Sequence, residues 1–238
     1  MSKKVCIISG VSSGIGLALC KQVLDKDYTV YGISLTENNW PSLERYIDGS
    51  CSLHLSTCDV SKELEVKSFI DYVIAEEGQI DLLINNAGYI DEGFKLEEIS
   101  TEEFTKNIEI NLYSIYFMCK YAIPYMKSYD KCIINISSNA GKRAVPTIAA
   151  YSAAKFGVVA LTQSIAKENE DNGLRCYCAC PGGTNTPMRE KIFGDACNQQ
   201  SPEFVAEETL KLLKGDIKSG SDVVIRHGKV EINILPGK

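Results

Sequence analysis

No stretch of this chain approaches the ~18 consecutive apolar residues that a membrane-spanning helix needs. The first apolar run, Val5-Cys6-Ile7-Ile8, is too short for the core of a signal peptide and passes straight into a glycine loop, so a cytosolic protein is expected. Basic charge is also in short supply: 25 Lys and Arg stand against 31 Asp and Glu, a net charge of −6. That balance argues against a sequence-independent grip on nucleic acid and against docking to an anionic membrane, since both need a basic footprint. Only two histidines, His54 and His227, are available to join the ten cysteines, and no Cys-x-x-Cys pair occurs. Cys176, Cys178 and Cys180 alternate, which on a strand puts them on one face. A zinc site therefore lacks its ligand spacing, no metal is expected, and the cysteines read as small buried hydrophobes of a reducing compartment. The Asn135-Ile136-Ser137 glycosylation match falls in a buried strand and is an accident. Repeats, low-complexity tracts and linkers are missing too, so residues 1–238 read as one domain.

What the chain does have is apolar material, 45% of its residues, arranged as strand and helix in alternation. Short apolar runs at Lys4–Ser9, Tyr28–Ile33, Ser52–Ser56, Ile80–Ile84, Lys131–Ser137 and Leu174–Ala179 read as buried strands. Helical spacing appears at Ile15–Leu24, Glu63–Ala75, a long Thr101–Lys127 stretch bent near Pro124, Tyr151–Glu170 and Glu203–Leu213. Asp222–Arg226 and Val230–Leu235 flank His227-Gly228 as a terminal hairpin. This alternation predicts an α/β fold: a doubly wound, Rossmann-like parallel sheet in three α/β/α layers with right-handed crossovers.

Ser9-Gly10-Val11-Ser12-Ser13-Gly14-Ile15-Gly16 joins the first strand to the first helix. Glycines there let the backbone turn sharply and approach a pyrophosphate, whose charge suits the helix N-terminus. The Gly-x-x-x-Gly-x-Gly spacing differs from the Gly-x-Gly-x-x-Gly fingerprint, and turn chemistry alone could also produce it. Cys58-Asp59-Val60 follows the third strand, where Asp59 either hydrogen-bonds an adenine or caps the next helix. Asn85-Asn86-Ala87-Gly88 ends the fourth strand at the edge where such sheets bind ligands, or is simply a turn.

Tyr151 and Lys155 lie one helical turn apart on one face. A free tyrosine, with pKa near ~10, exchanges protons poorly at neutral pH, and a nearby ammonium would lower that value. A bare Tyr-x-x-x-Lys match is common, however. The glycine loop, Asn85-Asn86-Ala87-Gly88, Asn111, Ile136-Ser137-Ser138, Tyr151/Lys155 and Pro181-Gly182-Gly183-Thr184-Asn185-Thr186 occur together and in order. In this the chain strongly resembles the short-chain dehydrogenase/reductase family over about residues 3–188, with Ser138 thirteen residues before Tyr151. The resemblance implies an NAD(P)-dependent oxidoreductase interconverting a carbonyl and an alcohol. Tyr151 would move the proton, Ser138 would hydrogen-bond the substrate oxygen, and Lys155 would hold the nicotinamide ribose and depress the tyrosine pKa. Asn111 would hold a water linking Lys155 to solvent. Ser137 should point the other way, by strand alternation. The cofactor would lie along Gly10, Ser12, Ser13, Gly14, Ile15, Gly16, Ser34, Asp59, Val60, Asn86, Ala87, Gly88, Tyr151, Lys155, Pro181, Gly182, Thr184 and Thr186.

NAD and NADP both stay open. In the family an acid ending strand two favours NAD, and a basic residue after it or in the glycine loop favours NADP. Here the corresponding residues are Ser34, Leu35 and Ser13, with Glu37 nearby. A short lid over residues 187–201, with Met188, Ile192 and Phe193, and the Asp91–Leu96 loop should shape an open or modest pocket for a small-molecule carbonyl or alcohol. The long helix and Tyr151–Glu170 should pack against copies of themselves in a homodimer or homotetramer. Residues 231–238 lack the glycine-rich ending of the family, which leaves the oligomer contacts made there by relatives in doubt. The alternative from another class is a non-catalytic dinucleotide-binding regulator of the same fold; the intact catalytic set weighs against it.

Overall fold

A computed structural model describes residues 3–37, 40–46, 52–194 and 199–234. Its centre is a sheet whose strands run β3-β2-β1-β4-β5-β6-β7-β8. The strands are β1 (Lys4–Ser9), β2 (Tyr28–Ser34), β3 (Leu53–Thr57), β4 (Leu82–Asn85), β5 (Cys132–Ile136), β6 (Arg175–Pro181), β7 (Asp222–Arg226) and β8 (Lys229–Asn233). All pairs are parallel except β7 with β8. β1, β4 and β5 are continuous apolar runs with hardly an exposed residue, as strands covered on both faces must be.

Helices α1 (Gly14–Leu24) and α7 (Pro202–Leu210) cover one face, burying Leu19, Val23, Val205 and Leu210 against Ile8, Ile84 and Ile134. Helices α2 (Glu63–Glu77), α4 (Ser114–Ala122) and α5 (Ala149–Glu168) cover the other, with Val66, Ile70, Met118 and Val158 against Ile7, Leu83 and Ile133. The strand order reverses between β1 and β4, and a ligand crevice belongs at that switch point, beyond the carboxyl ends of the strands.

The expected strand over Ile80–Ile84 runs instead over Leu82–Asn85, and just before it the Asp81 carboxylate accepts the Val5 N–H at 2.8 Å. The terminal hairpin forms as expected. Arg226 and Lys229 pair across His227 (φ 42°) and Gly228 (φ 76°), the positive φ values that a twisted two-residue turn requires. Its last strand ends at Asn233; Leu235 and the residues after it lie outside the described part.

The long helix expected over Thr101–Lys127 is corrected more substantially. It divides into α3 (Thr101–Ile108), a π-helical turn over Glu109–Tyr113, α4, and a tight turn at Ile123–Tyr125. The irregularity sits at Asn111 as well as at Pro124, for a reason given below. Pro187–Phe193 forms α6, the first half of the expected lid; residues 195–198 lie outside the described part.

Candidate active site

A cavity of about 480 Å³ opens at the switch point, lined by the glycine loop, the ends of β4, β5 and β6, the start of α5, and α6. Along one wall run Gly10, Ser13, Gly14 and Ile15. Gly10 (φ 76°) and Gly14 (φ 54°) hold backbone angles natural only to glycine. A Cβ on Gly16 would stand 2.0 Å from the Gly10 carbonyl oxygen and 2.3 Å from Asn86 Nδ2, so only glycine fits there. Asn86 seals the contact by donating to the Ser9 and Gly10 carbonyls at 3.0 and 3.2 Å. Ser13 begins α1 without a side-chain cap, and the first turn carries no acid. The first N–H groups thus face the cavity with the helix dipole behind them, which fits a dinucleotide's pyrophosphate.

On the opposite wall stand Ser138, Tyr151 and Lys155. Ser138 follows β5 and starts a short helical turn, its Oγ accepting the Ala140 N–H at 3.1 Å. Ser137 also borders the cavity, but its hydroxyl is spent on the Lys155 carbonyl, to which it donates at 2.8 Å. Lys155 is buried and donates from Nζ to the Ile136 carbonyl at 3.0 Å, 5.6 Å from the Tyr151 ring centre. Burial costs the ammonium its hydration and lowers the lysine's pKa from 10.5 to about 8.

The tyrosine departs from expectation. Its pKa is raised, chiefly by burial of the phenol, which outweighs the lowering by the Ser138 hydroxyl beside it.

Asn111 is fully buried just outside the cavity wall. Its amide donates to the Tyr89 and Asn107 carbonyls at 2.7 and 2.9 Å and accepts the Tyr89 N–H at 3.1 Å. These bonds draw the helix toward the end of β4 and widen it into the π-helical turn, a feature frequent at functional sites. A Cβ on Gly88 would lie 3.1 Å from Asn111 Oδ1 and 3.7 Å from Lys155 Nζ, so these three residues meet.

Asn86, Gly88, Pro181, Gly182, Thr184 and Thr186 line the cavity. Ser12, Ser34, Asp59, Val60 and Ala87 do not. Ser12 lies in the glycine turn, and Ala87 is held through its N–H by Ser9 Oγ. The Ser34 hydroxyl is engaged inward, donating to the Thr36 carbonyl at 2.7 Å and accepting from Trp40 Nε1 at 3.2 Å. Asp59 accepts the Ser61 N–H and hydroxyl at 3.0 and 2.7 Å; the residue before α2 is Lys62, so Asp59 is not that helix's cap. Val60 is part of the core.

Of the lid residues, Met188 and Phe193 line the cavity, while Ile192 does not and packs against the small cluster of Ile90, Ala140 and Ile148. Within the 91–96 loop, Asp91 is buried and spends its carboxylate on Gly93 N and Asn107 Nδ2. Reading the sequence overlooked Asn139, Arg143, Arg189, Gln199 and His227, all on the cavity wall. Arg189 and Gln199 fall within the expected 187–201 lid without having been singled out, while Asn139, Arg143 and His227 lie outside every expected site segment.

Among the described residues no cluster of three or more His, Cys, Asp or Glu side chains is arranged to hold a metal, and no helix is long and apolar enough to cross a membrane. The described cysteines, eight in number, are buried thiols.

Residues 4–196 match the family model of short chain dehydrogenases. The chain is 29% identical to a 3beta-hydroxysteroid dehydrogenase of Mediterraneibacter gnavus, across 92% of this chain and 80% of that protein. It is 31% identical to a 3-oxoacyl-[acyl-carrier-protein] reductase of Thermotoga maritima, across 79% and 77%. The solved structure of Thermoplasma acidophilum aldohexose dehydrogenase superposes with a TM-score of 0.83 at 29% identity, covering 95% of this chain and 93% of that one.

Proposed function

The chain belongs to the short-chain dehydrogenase/reductase family, an NAD(P)-dependent oxidoreductase, and from that premise we propose that it interconverts a carbonyl and an alcohol with Tyr151 moving the proton. The observation carrying this reading is the convergence of Ser138, Tyr151 and Lys155 on one cavity whose other wall is the uncapped start of α1.

The dinucleotide, bound along Gly10, Ser13, Gly14 and Ile15 with its ribose near Lys155, would carry the hydride. The protein's own share is positioning and proton handling. In the reductive direction the substrate oxygen gains negative charge, and the Ser138 hydroxyl donates a hydrogen bond to it while Tyr151 delivers the proton. A raised phenol pKa suits this step, since the proton is present at neutral pH. In the oxidative direction the phenol must lose its proton, and positive charge brought close to it on cofactor binding favours that loss. Lys155, with pKa about 8, is mostly an ammonium at neutral pH and exchanges protons readily there. The Asn111 amide donates both its hydrogens to the Tyr89 and Asn107 carbonyls, while its oxygen accepts one N–H, from Tyr89, and keeps a lone pair with which it would hold a water beside Lys155.

Titration with NADH and NADPH followed by a carbonyl panel tests the reading. Tyr151→Phe should lower turnover by about 10³-fold or more and retain dinucleotide binding; a Tyr151→Phe variant that keeps its activity refutes the role of the phenol. Dinucleotide binding with no turnover of any carbonyl would favour the regulator instead.

A further inference from the structure

Among the described residues the cavity has no aspartate or glutamate in its lining, although the chain as a whole carries a net charge of −6. Its cations are Lys155, Arg143 and Arg189. Lys155 lies at the floor and is bonded to the Ile136 carbonyl. The two arginines sit higher, on the loop after Ser138 and on α6. Arg175 and Arg226, away from the cavity, each pair with a carboxylate, Asp130 and Glu231 respectively. Arg143 and Arg189 have no carboxylate within ion-pair distance among the described residues.

Both are nevertheless held in place. The Asn139 amide, turned with its oxygen toward Arg143, accepts from Nε at 2.9 Å and from a terminal nitrogen at 3.2 Å. The Arg189 guanidinium stacks 4.7 Å from the Phe193 ring centre. Among the described residues its Nε, which is buried, has no hydrogen-bond partner, and neither has the neighbouring Gln199 Oε1. A Cβ on Gly183 would stand 2.1 Å from Gln199 Oε1 and 3.4 Å from Arg189 Cζ, so a glycine leaves the room that these two side chains occupy. A guanidinium held in orientation at a cavity wall, with no carboxylate partner among the described residues, presents donors that an anion in the cavity can meet.

We propose that the substrate is a small carbonyl or alcohol bearing a carboxylate or phosphate, which Arg143 and Arg189 bind while its carbon body lies against Val145, Ile148 and Met188. The inference rests on the carbonyl/alcohol reading above and adds the charge of the substrate. A guanidinium fork presents two parallel donors to either anion, while a neutral ester or hydroxyl in its place leaves those donors unmet. At about 480 Å³ the cavity must also admit the nicotinamide end of the dinucleotide, which limits the substrate to a compact molecule.

The test uses the whole enzyme saturated with whichever dinucleotide it binds. Matched pairs are compared: oxo acids against their methyl esters, and phosphorylated hydroxyaldehydes against the unphosphorylated compounds. The anion should exceed its neutral partner in kcat/KM by about tenfold or more, and the better pair identifies carboxylate or phosphate. Arg143→Gln and Arg189→Gln should each raise KM for the anion about 10- to 100-fold and draw the anion-to-neutral ratio toward one. Where turnover is slow, calorimetry of the same pairs on the enzyme–dinucleotide complex reads the preference directly. Equal affinity for anion and neutral partner, or a higher one for the neutral, overturns the proposal. So does an Arg189→Gln variant whose loss is all in dinucleotide affinity, which would make Arg189 a ligand of the cofactor's diphosphate. Failure to bind either dinucleotide refutes the oxidoreductase reading itself, a result separable from the first two.

Discussion

Lys155 is charged where charge is costly: it is 3% exposed, and its ammonium donates to the Ile136 carbonyl. Lowering its pKa from 10.5 to about 8 corresponds to about 3 kcal/mol against the folded state wherever both states are protonated. Below pH 8 that cost is present in full. Between about 8 and 10.5 the unfolded chain binds a proton that the folded one does not, so stability rises with pH across that window and the cost is gone above it. Lys155→Met, which keeps the length of the stem and removes the charge, should therefore be more stable at pH 7 by about 1–3 kcal/mol. The advantage should vanish between pH 8 and 10.5, as thermal melts of both proteins across pH would measure. A variant no more stable at pH 7 would show that the lysine's site is not the desolvated one described. The pairing of Tyr151 with Lys155 was legible from a spacing of four. The direction of the tyrosine's pKa was not, because burial by residues distant in sequence decides it.

The glycine loop shows how far sequence carries at the level of an element. Its place between the first strand and first helix was readable, because glycine is the residue that tolerates the positive φ and the close approach found there. Two substitutions separate those causes. Gly78 ends α2 at φ 75° with nothing within 4 Å of an added Cβ, so Gly78→Ala should cost about 1 kcal/mol in denaturant unfolding and leave dinucleotide affinity alone. Gly16→Ala drives its methyl into the Gly10 carbonyl and the Asn86 amide. It should cost about 1–3 kcal/mol and weaken dinucleotide binding tenfold or more, as the loop opens. Equal effects of the two on binding would show that the approach of loop to β4 is not what shapes the site. The π-helical turn was invisible by comparison. It arises from bonds between Asn111 and Tyr89, 22 positions apart, and the period of apolar residues ran on through it. Arg143 too was hidden by distance in sequence, since it shares a cavity with Arg189 and Gln199 of the expected lid only once the chain has folded.

For the molecule as a whole, alternating strand and helix was enough to fix a parallel sheet with two covered faces, because strands so fully buried admit little else. What that pattern leaves open is the outside. Tyr113 and Tyr116 are 49% and 45% exposed on the turn before α4 and on α4, and Phe156 is 46% exposed on α5. The two helical segments lie side by side, since a Cβ on Gly157 of α5 would sit 2.9 Å from Leu112 Cδ2. Exposed aromatic rings on adjacent helices form the kind of patch that association buries, and a two-fold axis would set each such face against its copy. Light scattering should accordingly find a dimer or tetramer at micromolar concentration. Tyr116→Glu combined with Phe156→Glu places charge in that face and should shift the protein toward monomer with its melting temperature held within a few degrees. A wild-type protein that is monomeric throughout removes the interface. An oligomer indifferent to the double substitution moves it elsewhere, and the uncovered β8 edge with Val230, Ile232 and Ile234 is then the surface to alter next.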